Sequence, residues 1–134
     1  MDPLQIIEKY YDRNSELYRI LVSHSKDVTR KALELAAKHP ELKIDTKFVS
    51  EAAMLHDIGI IFCDAPRIYC FGKHKYIEHG YLGAELLRKE GLPRHARVAE
   101  RHTGSGLTME DVIRQDLPLP HQDFCPETIE EEII

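Results

Sequence analysis

Residues 49–60 read VSEAAMLHDIGI. Val49, Ala52, Ala53 and His56 recur at spacings of three and four, so they share one face of a helix, and His56 ends the stripe that faces the core. Asp57 follows directly, about a hundred degrees around the same helix, and Gly59 is placed to stop the helix in a left-handed conformation. A histidine and a carboxylate at the end of a buried stripe are costly unless something pairs with them. Three more stretches repeat the plan: Leu17, Ile20, Leu21, His24 and Val28; His79, Leu82, Gly83 and Leu86; Val98, Ala99 and His102. Four imidazoles and one carboxylate aimed into one core describe a metal site. Divalent transition ions favour these ligands, and a helical bundle projects them inward from facing helices.

Outward from this stretch the reading stays helical. Asp2-Pro3 starts a helix over the first thirteen residues, with Asp as cap and Pro in the first turn. Asn14 can cap a second helix that runs to His39, before Pro40, and the serines flanking His24 can loosen it into two pieces. Asp45 opens the helix that carries His56. A helix from about Glu78 to Glu90 ends at Gly91, and Pro93 opens another that reaches His102. Thr108 and Asp111 form a capping-box pattern, and Thr128 with Glu131 forms a second at a last helix that is expected to be cut short at Ile134. Residues 60–78, IIFCDAPRIYCFGKHKYIE, lack any sustained period and are expected to form a long functional loop such as a lid. No stretch shows convincing strand alternation. The expected fold is a single all-α domain over 1–134, a bundle of about six or seven helices.

The 134 residues suffice for one domain that buries roughly two-thirds of its unfolded surface. A net charge of −5 argues against a nucleic-acid partner, which needs a basic face, and bound cations would offset part of it. Cys63, Cys70 and Cys125 are scattered and odd in number, which suits small buried or loop thiols better than a disulfide framework. No apolar run approaches a membrane span and the amino terminus lacks a signal pattern, so the cytoplasm is the expected compartment and no membrane partner is expected.

His24, AAMLHDIGI (52–60), EHGYLGAELLRKEGL (78–92) and ERHTGSG (100–106), in that order, resemble the HD superfamily of metal-dependent phosphohydrolases. The likeness is to its HDIG branch, and within it to small stand-alone HD-domain proteins and the group that cleaves diadenosine tetraphosphate symmetrically. It covers roughly residues 15–134. The resemblance implies two divalent ions, drawn from Fe, Mn, Ni, Co, Zn and Mg. His24, His56 and Asp57 would hold the first, and His79 and His102 the second, with Asp57 bridging and Asp57 and His56 as the catalytic pair. It further implies hydrolysis of a phosphate ester or anhydride, of a nucleotide or another small molecule, by a metal-bridged hydroxide. Two alternatives remain open, a di-iron oxygenase of the same superfamily and a nucleotide-binding regulatory module without turnover. The superfamily's last ligand is an aspartate on a later helix, and here the chain departs. Asp111, Asp116 and Asp123 match it poorly, so the chain is a truncated form, or water or a glutamate from 130–132 takes that place.

Around this set, Arg67, Lys73 and Lys75 make the long loop basic, and Lys73 and His74 are candidates to contact substrate. Arg101 and Thr103 are candidates at the pocket rim, the latter within a Thr103-Gly104-Ser105-Gly106 turn whose amides could cradle phosphate. Tyr69, Phe71, Tyr76 and Tyr81 could stack a base. His95, on the face of His102, is expected to support a ligand or the core. His39 and His121 are expected in solvent, as is the Glu130–Glu132 run.

Overall fold

The computed structural model describes residues 1–102 and 107–134. Seven α-helices lie among them: α1 (Pro3–Glu8), α2 (Glu16–Lys38), α3 (Thr46–Leu55), α4 (His79–Lys89), α5 (Pro93–Arg101), α6 (Met109–Arg114) and α7 (Ile129–Ile133). The all-α bundle is therefore what the chain forms. No helix among the described residues is long and apolar enough to cross a membrane.

Side-chain caps set most helix starts. Asp2, Ser15, Asp45, Thr108 and Thr128 each accept a first-turn amide, which satisfies donors that have no partner within the helix. Ser15 rather than Asn14 caps α2, and α2 is unbroken over 23 residues despite its serines. Ser25 is completely buried with its own hydroxyl unpartnered, and the Thr29 hydroxyl donates back to the Ser25 carbonyl. Gly91 takes φ +77° after α4, as a left-handed helix stop requires.

α2 packs on α3, α4 packs on α5, and α3 crosses α5. The main core joins Leu17 and Leu21 of α2, Leu55, Ile58, Leu87 and Ala99. The amino-terminal segment is fastened to this core by two anchors. Ile7 is completely buried, while Lys9 and Tyr10 both bond to Glu90 at the end of α4, at 2.6 and 2.9 Å.

The expected long loop is more ordered than its sequence suggests. α3 passes into a 3-10 segment over Ile58–Phe62, and the chain then forms a hairpin of two-residue strands, β1 (Asp64–Ala65) and β2 (Cys70–Phe71). Backbone bonds from Gly72 to Cys63 and between His74 and residues 62 and 64 tie its ends together. Gly59 is not left-handed. It lies where the 3-10 segment crosses α4, and a Cβ there would sit 2.0 Å from the His79 carbonyl oxygen and 2.5 Å from the Gly83 nitrogen. The glycine therefore permits a close approach of two backbones, a role different from the helix stop expected of it.

Glu131 also departs from expectation, because it is buried rather than part of a solvated run. Its carboxylate accepts from Arg97 Nε at 3.0 Å and from the Glu127 amide at 2.8 Å, which docks α7 on α5. Burial alone would raise its pKa, but the Glu127 amide and the Arg97 guanidinium outweigh burial and lower it. Stabilisation from this group is thus complete above the unfolded value near 4.3 and is lost as pH falls through the lower folded value. Glu131→Gln is expected to cost about 1–3 kcal/mol in urea unfolding at pH 7, and to flatten the loss of stability below pH 4. An unchanged urea midpoint would show that the pair contributes nothing.

Candidate metal centre

Each histidine of the four stripes sits at a helix end or one step off a buried stripe. His56 caps the C-terminus of α3, His79 is the first residue of α4, and His102 caps the C-terminus of α5. The last carbonyls of a helix lack intrahelical partners, and imidazoles at that position can use them. His56 Nδ1 lies 2.5 Å from Ala53 O, and His102 Nδ1 lies 2.6 Å from Ala99 O. His79 Nδ1 makes the same contact with Tyr76 O at 2.5 Å, in the 3-10 turn before α4. All three contacts reach back three residues. A carbonyl can only accept, so in each neutral ring the proton is on Nδ1 and a bare lone pair is on Nε2.

Those three Nε2 atoms, and that of His24, converge on Asp57. Oδ2 lies 3.1 Å from His24 Nε2 and 3.3 Å from His56 Nε2. Oδ1 lies 3.2 Å from His79 Nε2 and 2.8 Å from His102 Nε2, and these two nitrogens are 3.1 Å apart. One carboxylate thus presents one oxygen to each of two histidine pairs. With Nδ1 holding the protons, Nε2 lone pairs point at carboxylate lone pairs, and Asp57 Oδ1 is buried without a hydrogen-bond donor. Only added positive charge reconciles such an arrangement. Ligand atoms about 3.0–3.4 Å apart are the spacing that a divalent ion with bonds of about 2.1 Å would impose, so the residues fit metal binding. His24, His56 and Asp57 form one group able to hold a metal, and Asp57, His79 and His102 form another.

Electrostatics follow burial. Burial opposes ionisation of Asp57, but contacts from His102, His24, His56 and His79 outweigh it and hold the carboxyl far below the usual range. The contact with Asp57 raises the His24 pKa, whereas burial lowers that of His102 in spite of the same carboxylate. The carboxylate thus favours the protonated form of His24, whose side chain is 53% exposed, while burial disfavours that of His102. The exposure of His24 differs from the stripe expected on α2. The buried face runs through Leu17, Leu21, Ser25 and Ala32, and His24 stands at its edge, where the centre opens to solvent.

Other candidates fall outside this cluster. The Arg101 guanidinium is buried against the carbonyl of Cys125 and faces Glu127 and Glu131, contacts that tie α5 to the segment leading into α7. Lys73 and His74 are exposed, and the His74 ring pairs with Glu78 at 3.3 Å. Thr103, with the Gly104-Ser105-Gly106 stretch, lies outside the described residues. His95 bonds Glu51 at 2.9 Å and joins α5 to α3. Among the described residues, no atom of Asp111, Asp116, Asp123 or Glu130–Glu132 joins either group. Asp111 serves its own capping box, Asp123 accepts the Met109 amide, and Glu131 is committed to Arg97.

Two contributors to the centre are not read as such in the sequence, where Tyr76 is named only as a base-stacking candidate and Tyr11 has no role. The Tyr76 ring lies over His79, with centroids 4.3 Å apart, while its carbonyl orients the same imidazole. The Tyr11 hydroxyl reaches the turn that follows Asp57, donating to Ile58 O at 2.6 Å and accepting from the Ile61 amide at 3.1 Å. The recurrent residue three positions before each histidine was a usable signal for Tyr76. Nothing local marked Tyr11.

The sequence profile described as the HD domain matches residues 21–132. An uncharacterised protein of Methanocaldococcus jannaschii is 39% identical over 117 residues, which cover 85% of this chain and 62% of that one. Two proteins named tRNA (cytidine(56)-2'-O)-methyltransferase are also similar. That of Picrophilus torridus is 37% identical over 116 residues and that of Thermoplasma volcanium 36% over 115, matching 86% and 85% of this chain. The chain spans only 29% of each of those two relatives. No solved structure matches it. The matched residues contain all five converging ligands, and the chain belongs to the HD domain family.

Proposed function

We propose that this chain is a dinuclear metal-dependent phosphohydrolase acting on a phosphate ester or anhydride of a nucleotide or another small molecule. The observation that carries the reading is the facing of four Nε2 atoms and two carboxylate oxygens in the absence of donors between them. His24, His56 and Asp57 would hold one ion, and Asp57, His79 and His102 the other. Divalent ions bound there supply Lewis acidity, lowering the pKa of a coordinated water toward neutrality and offsetting charge on phosphate oxygens. The protein's part is orientation and access. The Ala53, Tyr76 and Ala99 carbonyls fix three imidazoles in the tautomer that binds cations, and such partners strengthen ligand basicity. His24 leaves the first position open to solvent, so a phosphate can approach from the α2 side and water can complete the coordination that no further carboxylate fills. In the hydrolysis, the water oxygen bonds to phosphorus, the bond from phosphorus to the leaving oxygen breaks, and that oxygen takes a proton.

The methyltransferase named for the two relatives is assigned, on this reading, to the parts of their chains outside the match. A centre of four imidazoles and a carboxylate offers nothing for methyl transfer. Purified protein loaded separately with Mn, Co, Ni, Fe and Zn is expected to hydrolyse at least one member of a panel of phosphomonoesters, dinucleotides and phosphodiesters, with loss of activity in chelator. A metal-loaded protein inert toward the whole panel overturns the reading. Oxygen uptake with a mixed-valence iron signal would favour an oxygenase, and thermal stabilisation by nucleotides without turnover would favour a regulatory module.

A further inference from the structure

The amino-terminal segment lies before the residues that match the family, yet it touches the backbone on which the metal centre is built. Tyr11 is 4% exposed, and its ring is part of the main core. Its hydroxyl spans one turn of the 3-10 segment, giving a hydrogen bond to Ile58 O and taking one from the Ile61 amide. Ile58 is the residue after Asp57, and the Asp57 carbonyl accepts the Ile60 amide in the same turn. The turn is pressed against α4 on its other side, where Gly59 meets the backbone of His79 and Gly83. Between Tyr11 and α4 the residues after Asp57 have contacts on two sides.

We propose that Tyr11 is a positioning residue for the metal centre: its hydroxyl clamps the turn after Asp57 and so sets the direction of the bridging carboxylate. This rests on the dinuclear reading above, because a clamp on Asp57 matters to function only if Asp57 is the shared ligand. The physical case is one of order. α3 ends at Leu55, and Asp57, at φ −103° and ψ 13°, is no longer in regular helical geometry. A carboxylate on such a residue owes its direction to what holds the next few backbone groups. Three of the four imidazoles already have their own carbonyl anchors, whereas the described contacts of the Asp57 side chain are only with those imidazoles. Tyr11 supplies the missing anchor through the backbone, and burial keeps water from replacing it.

Tyr11→Phe removes the hydroxyl and keeps the ring. The control is Tyr10→Phe, which removes the bond to Glu90 from the same segment but does not touch the turn. Co(II) titrations followed by visible absorption are expected to show Tyr11→Phe binding about 10–100-fold more weakly, with a shifted d–d spectrum, and Tyr10→Phe binding like the unaltered protein. In metal-free protein, the Ile61 amide is expected to exchange its hydrogen at least tenfold faster in Tyr11→Phe than in Tyr10→Phe. Equal Co(II) affinity and spectrum in the two variants would overturn the proposal, even if both melt early. Should Tyr11→Phe not fold, exchange in the unaltered metal-free protein decides: an Ile61 amide exchanging as fast as an unprotected one removes the clamp. Failure of the unaltered protein to bind Co(II) at all would instead remove the dinuclear reading, and the exchange result would still stand by itself.

Discussion

Asp57→Asn is expected to take the metal content from two ions per chain to none, and to lower hydrolysis by about three orders of magnitude or more. Loss of metal-centred charge stabilisation is worth several kcal/mol, and each 1.36 kcal/mol is about tenfold in rate. Both ions go because each oxygen of the one carboxylate serves a different histidine pair. His24→Ala or His56→Ala, by contrast, is expected to spare the inner position formed by Asp57, His79 and His102. The metal-free variant is expected to be less stable than the metal-free parent at pH 7, because the histidine contacts that hold the Asp57 carboxyl below its usual range favour its ionised form in the folded chain. An amide of the same shape carries both N–H donors on one nitrogen, so it can serve only one of the two histidine pairs and leaves an acceptor facing the other. Thermal melts separate the two effects. At a metal concentration of about 100 times Kd, the parent gains about 2.7 kcal/mol, or roughly 10 °C for a chain of this size, and the variant gains nothing. Elemental analysis finding one ion still bound to Asp57→Asn would show that the carboxylate does not bridge.

The helices that carry the centre could be read from the chain because each places apolar residues three and four from its histidine. Val49, Ala52 and Ala53 are all buried and lead directly to His56, as the period requires. The convergence of five ligands was implied by order and resemblance, and the structure brings their atoms together. What the chain hid was tertiary. β1 and β2 have two residues each, too few to show any alternation. Gly59 looked like a helix stop because a glycine after a helix usually is one, and only the position of α4 reveals that it is a contact. Glu131 looked solvated within three consecutive glutamates, and its burial depends on Arg97, 34 residues earlier. His24 was expected to face inward because Leu17, Leu21 and His24 lie on nearly one line. A rotation of one residue, to Leu21 and Ser25, turns it to the rim. Local patterns specify elements; partners from distant segments decide how exposed a polar group in them becomes.

Gly59→Ala is expected to damage both the fold and the metal centre. Its Cβ would stand 2.0 Å from His79 O, 2.5 Å from Gly83 N and 2.9 Å from Gly83 Cα, and all three are backbone atoms that no rotamer change can move. An ordinary carbon–oxygen contact needs about 3.3 Å or more, so α4 and the 3-10 turn must separate by over an ångström. Separation opens the core around Ile58, which is completely buried, and pulls His79 from Asp57, since the two ligands lie on opposite sides of this contact. Overpacking typically costs about 1–3 kcal/mol, and a clash between two backbones belongs at or above the top of that range. A loss of about 3 kcal/mol corresponds to a fall of roughly 10 °C in Tm, together with loss of the ion at the inner position. Gly91→Ala provides the scale. Nothing lies within 4 Å of its Cβ, so the only cost is the left-handed backbone at φ +77°, about 1–2 kcal/mol. Melting curves and metal content should therefore rank the two variants, with Gly91→Ala still binding both ions and Gly59→Ala either insoluble or early-melting and short of metal. A Gly59→Ala protein that melts with the parent and keeps two ions would mean that the turn and α4 do not meet as described.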